Sequence, residues 1–233
     1  MRLQVQSTRP GCGTAEGGGA ARCPHVVLRQ VLGPETVAGL LEHVGAREAA
    51  FRPAVVRNRI SGKRRVDHDR RSSVSITDLG PFAQPFLSAI DRLVIPALSK
   101  LQIVEPAVTP RELEINAYGD GGRFAAHIDT NEQAHRVRVI SCVYYFARTP
   151  RPFIGGELRI FGLPTLSATK PGALDAYVDV SPDTDTLVFF PSWIRHEVRP
   201  VHVASGAWLD SRFTLNCWLH RLDPAARKQA SGA

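Results

Sequence analysis

Between positions 112 and 220 the chain consists of short runs in which apolar residues alternate with polar ones or crowd together: 112–118, 124–129, 137–146, 157–161, 176–180, 187–190 and 213–220. Gly and Pro interrupt them, as in Gly119-Asp120-Gly121-Gly122 after the first run. Short strands with no helical pattern between them predict an antiparallel barrel or jelly roll, a double-stranded β-helix, rather than an α/β sheet. Gly155 and Gly156, ahead of Glu157, predict a bulge or a place where backbone comes close to another group. Upstream the period changes. Residues 25–32 are β-branched and short, as in a buried strand, and Pro34 then opens a helix with Val37, Leu40, Leu41 and Val44 at helical spacing. Phe82, Phe86, Leu87, Ile90, Leu93, Val94 and Leu98 mark a second amphipathic helix, which Pro96 is expected to kink or interrupt. The expected fold is mainly β with flanking helices.

Composition narrows the organisation. A chain of 233 residues with 43% hydrophobic content can bury one sizeable core, so a single domain over 25–223 is the simplest count. Residues 1–24 are rich in Gly, Ala, Ser and Thr without periodicity, and are expected to form a disordered tail, followed at the other end by a short tail over 224–233. Cys12, Cys23, Cys142 and Cys217 show no C-x-x-C pairing and read as reduced thiols. With no apolar leader and no run near the roughly 20 apolar residues of a membrane span, a soluble cytoplasmic protein is expected.

The chemistry centres on Phe124-Ala125-Ala126-His127-Ile128-Asp129-Thr130. Side chains two apart on a strand share a face, so His127 and Asp129 present an imidazole and a carboxylate together. His196 follows the apolar run Leu187-Val188-Phe189-Phe190. Two His and one Asp on one side of an octahedral ion are the ligand set of a non-haem Fe(II) oxygenase. Alone, H-x-D is more often a surface hydrogen-bonded pair. What raises its weight is Arg212, which alternation places on one face with Thr214, Asn216 and Trp218, opposite Phe213, Leu215, Cys217 and Leu219. A guanidinium on that face is costly unless it meets an anion, and a dicarboxylate cosubstrate would supply one through a bidentate fork.

The ordered pieces His127-Ile128-Asp129, Val143-Tyr144-Tyr145-Phe146, Gly155-Gly156-Glu157-Leu158, His196-Glu197-Val198-Arg199-Pro200 and Arg212 through Trp218 resemble the 2-oxoglutarate- and Fe(II)-dependent dioxygenases of the prolyl 4-hydroxylase type. The likeness is greatest to the hypoxia-factor prolyl hydroxylases and their bacterial relatives, and covers 113–221 well. The resemblance implies Fe(II), 2-oxoglutarate and O2 as cofactors, with ascorbate as a further candidate. It implies His127, Asp129 and His196 as metal ligands, Arg212 and Tyr145 on the far carboxylate of 2-oxoglutarate, and Tyr118 and Trp218 as pocket lining. Halogenating relatives lack the carboxylate, so Asp129 argues for hydroxylation. For Tyr118, Tyr145 and Trp218 a packing role stands beside the functional one. Whether Asn216, where some relatives have Thr, contacts cosubstrate is open.

Residues 57–71 carry seven Arg and Lys against Asp67 and Asp69, and the chain has a net charge of +7. A solvated loop is the ordinary reading. In the resembling family a mobile loop over a peptide lies here, which makes Arg57, Arg59, Arg64 and Arg65 candidates for a lid suited to an acidic protein or peptide. Arg123, Arg195 and Arg199 read as surface or rim charges, and His135, His202 and His220 as structural. A cupin would need an H-x-H spacing that is missing. A nucleic-acid demethylase would need two closely spaced arginines on the last strand, whereas Arg221 is too far from Arg212. A hydroxylase of a free amino acid or natural product, and an iron- or oxygen-sensing module without turnover, remain as alternatives.

Overall fold

In the computed structural model, which describes residues 23–57, 64–104, 108–130, 138–162 and 176–222, the chain begins with β1 (Val26–Arg29) and α1 (Pro34–Ala46). Five short strands follow: β2 (Arg52–Pro53), β3 (Val55–Arg57), β4 (Arg64–Val66), β5 (Arg71–Ser72) and β6 (Val74–Ile76). After α2 (Ala83–Leu101) come the longer strands β7 (Val108–Tyr118), β8 (Arg123–His127) and β9 (Arg138–Phe146). The remainder is β10 (Ile154–Gly155), β11 (Leu158–Phe161), β12 (Tyr177–Val180), β13 (Thr186–Pro191), β14 (His196–Val198), β15 (Val201–His202) and β16 (Arg212–Arg221). Among the described residues no helix is long and apolar enough to cross a membrane.

Two antiparallel sheets face each other: a seven-stranded one in the order β1-β13-β9-β16-β7-β6-β2, and a five-stranded one in the order β12-β11-β14-β8-β5. This is the expected jelly roll. The large sheet is buried on both faces, which explains why β13 reads as a continuous apolar run and not as an alternation. One face packs under both helices, where Phe86 and Ile90 meet Tyr144, Phe146, Phe213 and Leu215 in one cluster. Phe86 is fully buried, and Phe86→Ala would cost about 3–5 kcal/mol through lost burial and the cavity it leaves. The other face looks into the barrel, where Val143, Tyr145, Val188 and Phe190 meet Leu158, Ile160 and Ile194.

Two expectations need correction. Pro96 does not interrupt the second helix, which runs unbroken from Ala83 to Leu101. Pro96 is on the exposed face, so water can reach the carbonyl one turn earlier that loses its amide partner. Nor is 57–71 simply a solvated loop. β3 and β4 pair as a hairpin (Val55 opposite Val66), and Arg71 is buried on β5 because Glu114 and Asn116 of β7 meet its guanidinium. Arg59, His135 and most of both expected tails fall outside the described residues, as do the side chains of Arg57 and Arg64.

Candidate metal and cosubstrate site

β8 and β14 are hydrogen-bonded neighbours in the smaller sheet, and their register sets His127 directly opposite His196. Asp129 follows two residues after the end of β8, and its amide is held by the Ser192 carbonyl at 2.9 Å. One ligand atom from each of His127, Asp129 and His196 lies within 4.8 Å of the others. The Nδ1 of His127 lies 2.9 Å from the Ala125 carbonyl and that of His196 lies 2.8 Å from the Ile194 carbonyl. A carbonyl only accepts, so each Nδ1 carries the proton and each Nε2 turns a lone pair toward Asp129, at 3.5 Å and 3.6 Å.

Electrostatics keep these groups in their ligating forms. Burial, and then repulsion from His127, push His196 down to about 4, against the pull of Asp129. Burial works to raise the Asp129 carboxyl, but positive charge on the adjoining imidazoles, present at the acid pH where a carboxyl titrates, and a hydrogen bond from Ser141 hold it well below the usual carboxylate range. Ser141 donates to Asp129 Oδ2 at 2.6 Å and lies 3.0 Å from the Ser192 hydroxyl. At neutral pH Asp129 is therefore a carboxylate and His196 a neutral imidazole, and with His127 they make a donor set suited to a divalent first-row metal.

Behind the triad, β16 points Arg212, Thr214, Asn216 and Trp218 into the same pocket and packs Phe213, Leu215, Cys217 and Leu219 toward the helices, as the alternation predicted. Arg212 is 1% exposed. Its Nε donates to the Gly156 carbonyl at 2.7 Å, and its Cζ lies 5.0 Å from the ring centres of both Tyr118 and Tyr145. Gly156 has φ +71, and a Cβ there would stand 2.6 Å from Arg212 Cδ, so the close approach expected at this glycine is made to the arginine itself. Burial pushes the Tyr145 phenol up to about 12, with Arg212 pulling the other way, so it stays a proton donor. Arg212 Nη2, Tyr145 Oη and Thr214 Oγ1 are buried without a hydrogen-bond partner. An unpartnered nitrogen of the buried cation and the two unpartnered hydroxyls leave a deficit that the carboxylate of a keto acid fits.

The sequence reading missed several contributors. Ser141 stands with Val143 and Tyr145 on the inward alternation of β9, so a polar residue there was a readable signal. Arg71 and Arg138 gave none, because each meets its partners only through the fold. Arg138 donates to Glu112 and lies over the Trp218 ring, 4.6 Å from its centre. Arg123 and Arg199 are surface contacts as expected, Arg195 stacks on Phe161, and His202 and His220 pair with Asp120 and Glu112.

The barrel thus holds two imidazoles and a carboxylate that could bind a metal ion, with a buried guanidinium behind them that suits a carboxylate ligand. Residues 113–220 match the model of the 2OG-Fe(II) oxygenase superfamily. An uncharacterized PKHD-type hydroxylase of Synechocystis sp. is 32% identical over 124 residues, which is 53% of this chain and 41% of the relative; the chain thus spans less than half of that curated protein. In solved structures the fold is shared with a Pseudomonas putida prolyl-4-hydroxylase (TM-score 0.60, 21% identity, 85% of this chain and 93% of that one). It is shared too with a Trichoplax adhaerens prolyl hydroxylase bound to a peptide fragment of the hypoxia inducible factor oxygen degradation domain (TM-score 0.60, 16% identity, 90% and 87%).

Proposed function

We propose that the protein is a 2-oxoglutarate- and O2-dependent Fe(II) hydroxylase that acts on a prolyl residue of a protein, with succinate and CO2 as co-products. One observation carries the reading: the two Nε2 lone pairs and the Asp129 carboxylate converge in front of an Arg212 whose Nη2 has no partner. His127, Asp129 and His196 would hold the metal, and Arg212, Tyr145 and Thr214 the far carboxylate of 2-oxoglutarate, with Tyr118 and Trp218 forming pocket walls. When bound, iron and 2-oxoglutarate supply the oxidising power to insert oxygen into an unactivated C–H bond. The protein's part is to fix ligand geometry and to keep water out. Ser141 and the Ser192 carbonyl hold Asp129, the two histidine tautomers are set by backbone carbonyls, and Phe190 packs against His196 with ring centres 4.6 Å apart.

The prolyl substrate is supported by the shared fold with prolyl hydroxylases, one of them solved with a peptide. A protein partner with acidic character is supported by the run of basic residues over 57–71 of the sequence, Arg57, Arg59, Arg64 and Arg65 among them; Arg65 itself is exposed and paired with Asp67 at 2.7 Å. Ascorbate is proposed as an accessory reductant. The location proposed is the cytoplasm, in keeping with the unoxidised thiols of Cys142 and Cys217. The test is incubation with Fe(II), ascorbate, 2-oxoglutarate and a cell extract, followed by mass spectrometry for peptides that gain one oxygen. Oxygen appearing on a free metabolite, with no peptide product, would overturn the substrate half.

A further inference from the structure

Two guanidinium groups line the pocket, and they differ in how their charge is balanced. Arg212 meets no carboxylate among the described residues, whereas Arg71 donates from Nη2 to Glu114 at 3.0 Å. Arg71 also donates to the Ser73 hydroxyl at 2.9 Å and to the side-chain carbonyl of Asn116. Its Cζ lies 4.8 Å from the centre of the Phe124 ring, and that ring stacks on His127 with centres 3.6 Å apart and planes 19° from parallel. Arg71 is thus one side chain away from a candidate metal ligand, on a strand that the keto-acid pocket on β16 does not use.

The neighbouring polar atoms share a character. Because Asn116 Oδ1 accepts from Arg71, its Nδ2 is fixed as a donor, and it is buried with no partner. Asn216 on the adjoining strand lines the pocket with a buried, unpartnered Oδ1, an acceptor. A lone donor and a lone acceptor beside an ion pair that is already neutral complement an amide, which has one of each and no charge. A second carboxylate in this place would have to displace Glu114 from Arg71 and leave a buried charge unpaired.

Resting on the Fe(II) and 2-oxoglutarate reading above, we propose that Arg71, neutralised by Glu114, is the specificity-determining residue of this site, and that with Asn116 and Asn216 it receives an uncharged peptide amide of the prime substrate in preference to the carboxylate of a free amino acid.

The test separates the two arginines. Anaerobic titration of the Fe(II) protein with 2-oxoglutarate, read by visible absorption of the chelate, gives keto-acid affinity. Succinate release in the presence of N-acetylated, C-amidated X-Pro-Y tripeptides, against free L-proline, gives substrate response. Capped tripeptides are expected to stimulate the parent and free L-proline not to. Losing a charge-assisted donor, Arg71→Gln should cut that stimulation by about tenfold or more while moving keto-acid affinity by less than about threefold; Arg212→Gln should weaken the keto acid by about tenfold or more. Should Arg71→Gln fold poorly, Glu114→Gln leaves the arginine in place with its charge unbalanced, and should shift preference toward tripeptides with a free C-terminal carboxylate. The proposal is overturned if no capped tripeptide stimulates the parent, if free L-proline matches them, if Arg71→Gln weakens the keto acid as Arg212→Gln does, or if Glu114→Gln leaves the preference unmoved. A parent that binds no keto acid sinks the underlying reading itself, a result distinct from all of these.

Discussion

Arg138 donates from Nη1 to the backbone carbonyl of Asp129 at 3.0 Å. Its other nitrogens hold Glu112, which also meets His220 at 2.9 Å. With the Ser192 carbonyl on the amide and Ser141 on the carboxylate, Asp129 is gripped at three points, so its oxygens face both Nε2 atoms before any ion arrives. Removing the guanidinium frees one of these points. Arg138→Met is expected to weaken divalent metal binding roughly tenfold to a hundredfold, measured by calorimetric titration with Co(II). Unchanged affinity would show that the backbone contact is incidental.

Substituting His127 or Asp129 by Ala should abolish metal binding and reduce succinate formation to background while the far-ultraviolet circular dichroism stays that of the parent. Both residues lie at the barrel mouth, away from the helix-packed core, so the fold does not depend on them. If both variants turn over like the parent, the site is elsewhere.

Gly156 is the tightest constraint on the cosubstrate pocket. Gly156→Ala puts a methyl group 2.6 Å from Arg212 Cδ on a backbone at φ +71. The backbone conformation alone costs about 1–2 kcal/mol. The larger effect falls on Arg212, which must shift. A rise in KM for 2-oxoglutarate that exceeds the change in kcat is expected from steady-state succinate assays, and a lowered Tm should accompany it.

Acid should destabilise the metal-free protein. His196 takes a proton near 6.5 when unfolded but near 4 when folded, so below about pH 6.5 the unfolded chain binds more protons. This stabilisation is complete above pH 6.5 and is lost as pH falls toward 4. The depressed Asp129 carboxyl adds a further loss below its ordinary value of 3.8. Urea midpoints of metal-free protein measured between pH 7.5 and 4.5 should decline, and His196→Asn should flatten the decline. An equal slope in the variant would place the titrating group elsewhere.

Several features were legible because they depend on neighbours along the chain. The strand period assigned Arg212, Thr214, Asn216 and Trp218 to the face opposite Phe213, Leu215 and Cys217, and β16 has that division. The glycine pair before Glu157 announced a close approach, although not what approached. Pro96 does not interrupt its helix, where packing of the apolar face holds Ala83–Leu101 together and leaves the proline on the exposed side.

What the sequence determined by itself was the two-residue periodicity of the strands and the kinds of side chain available to a metal and a keto acid. The tertiary structure alone decided that His196 stands opposite His127, that Ser141 and Arg138 hold Asp129, and that Arg71 leaves a basic stretch to pair with Glu114, 43 residues away. The physical reason is one of range. Backbone sterics fix side-chain direction within a few residues, whereas burying a charge is favourable only where a partner from a distant strand meets it, and the register of the two sheets makes that choice.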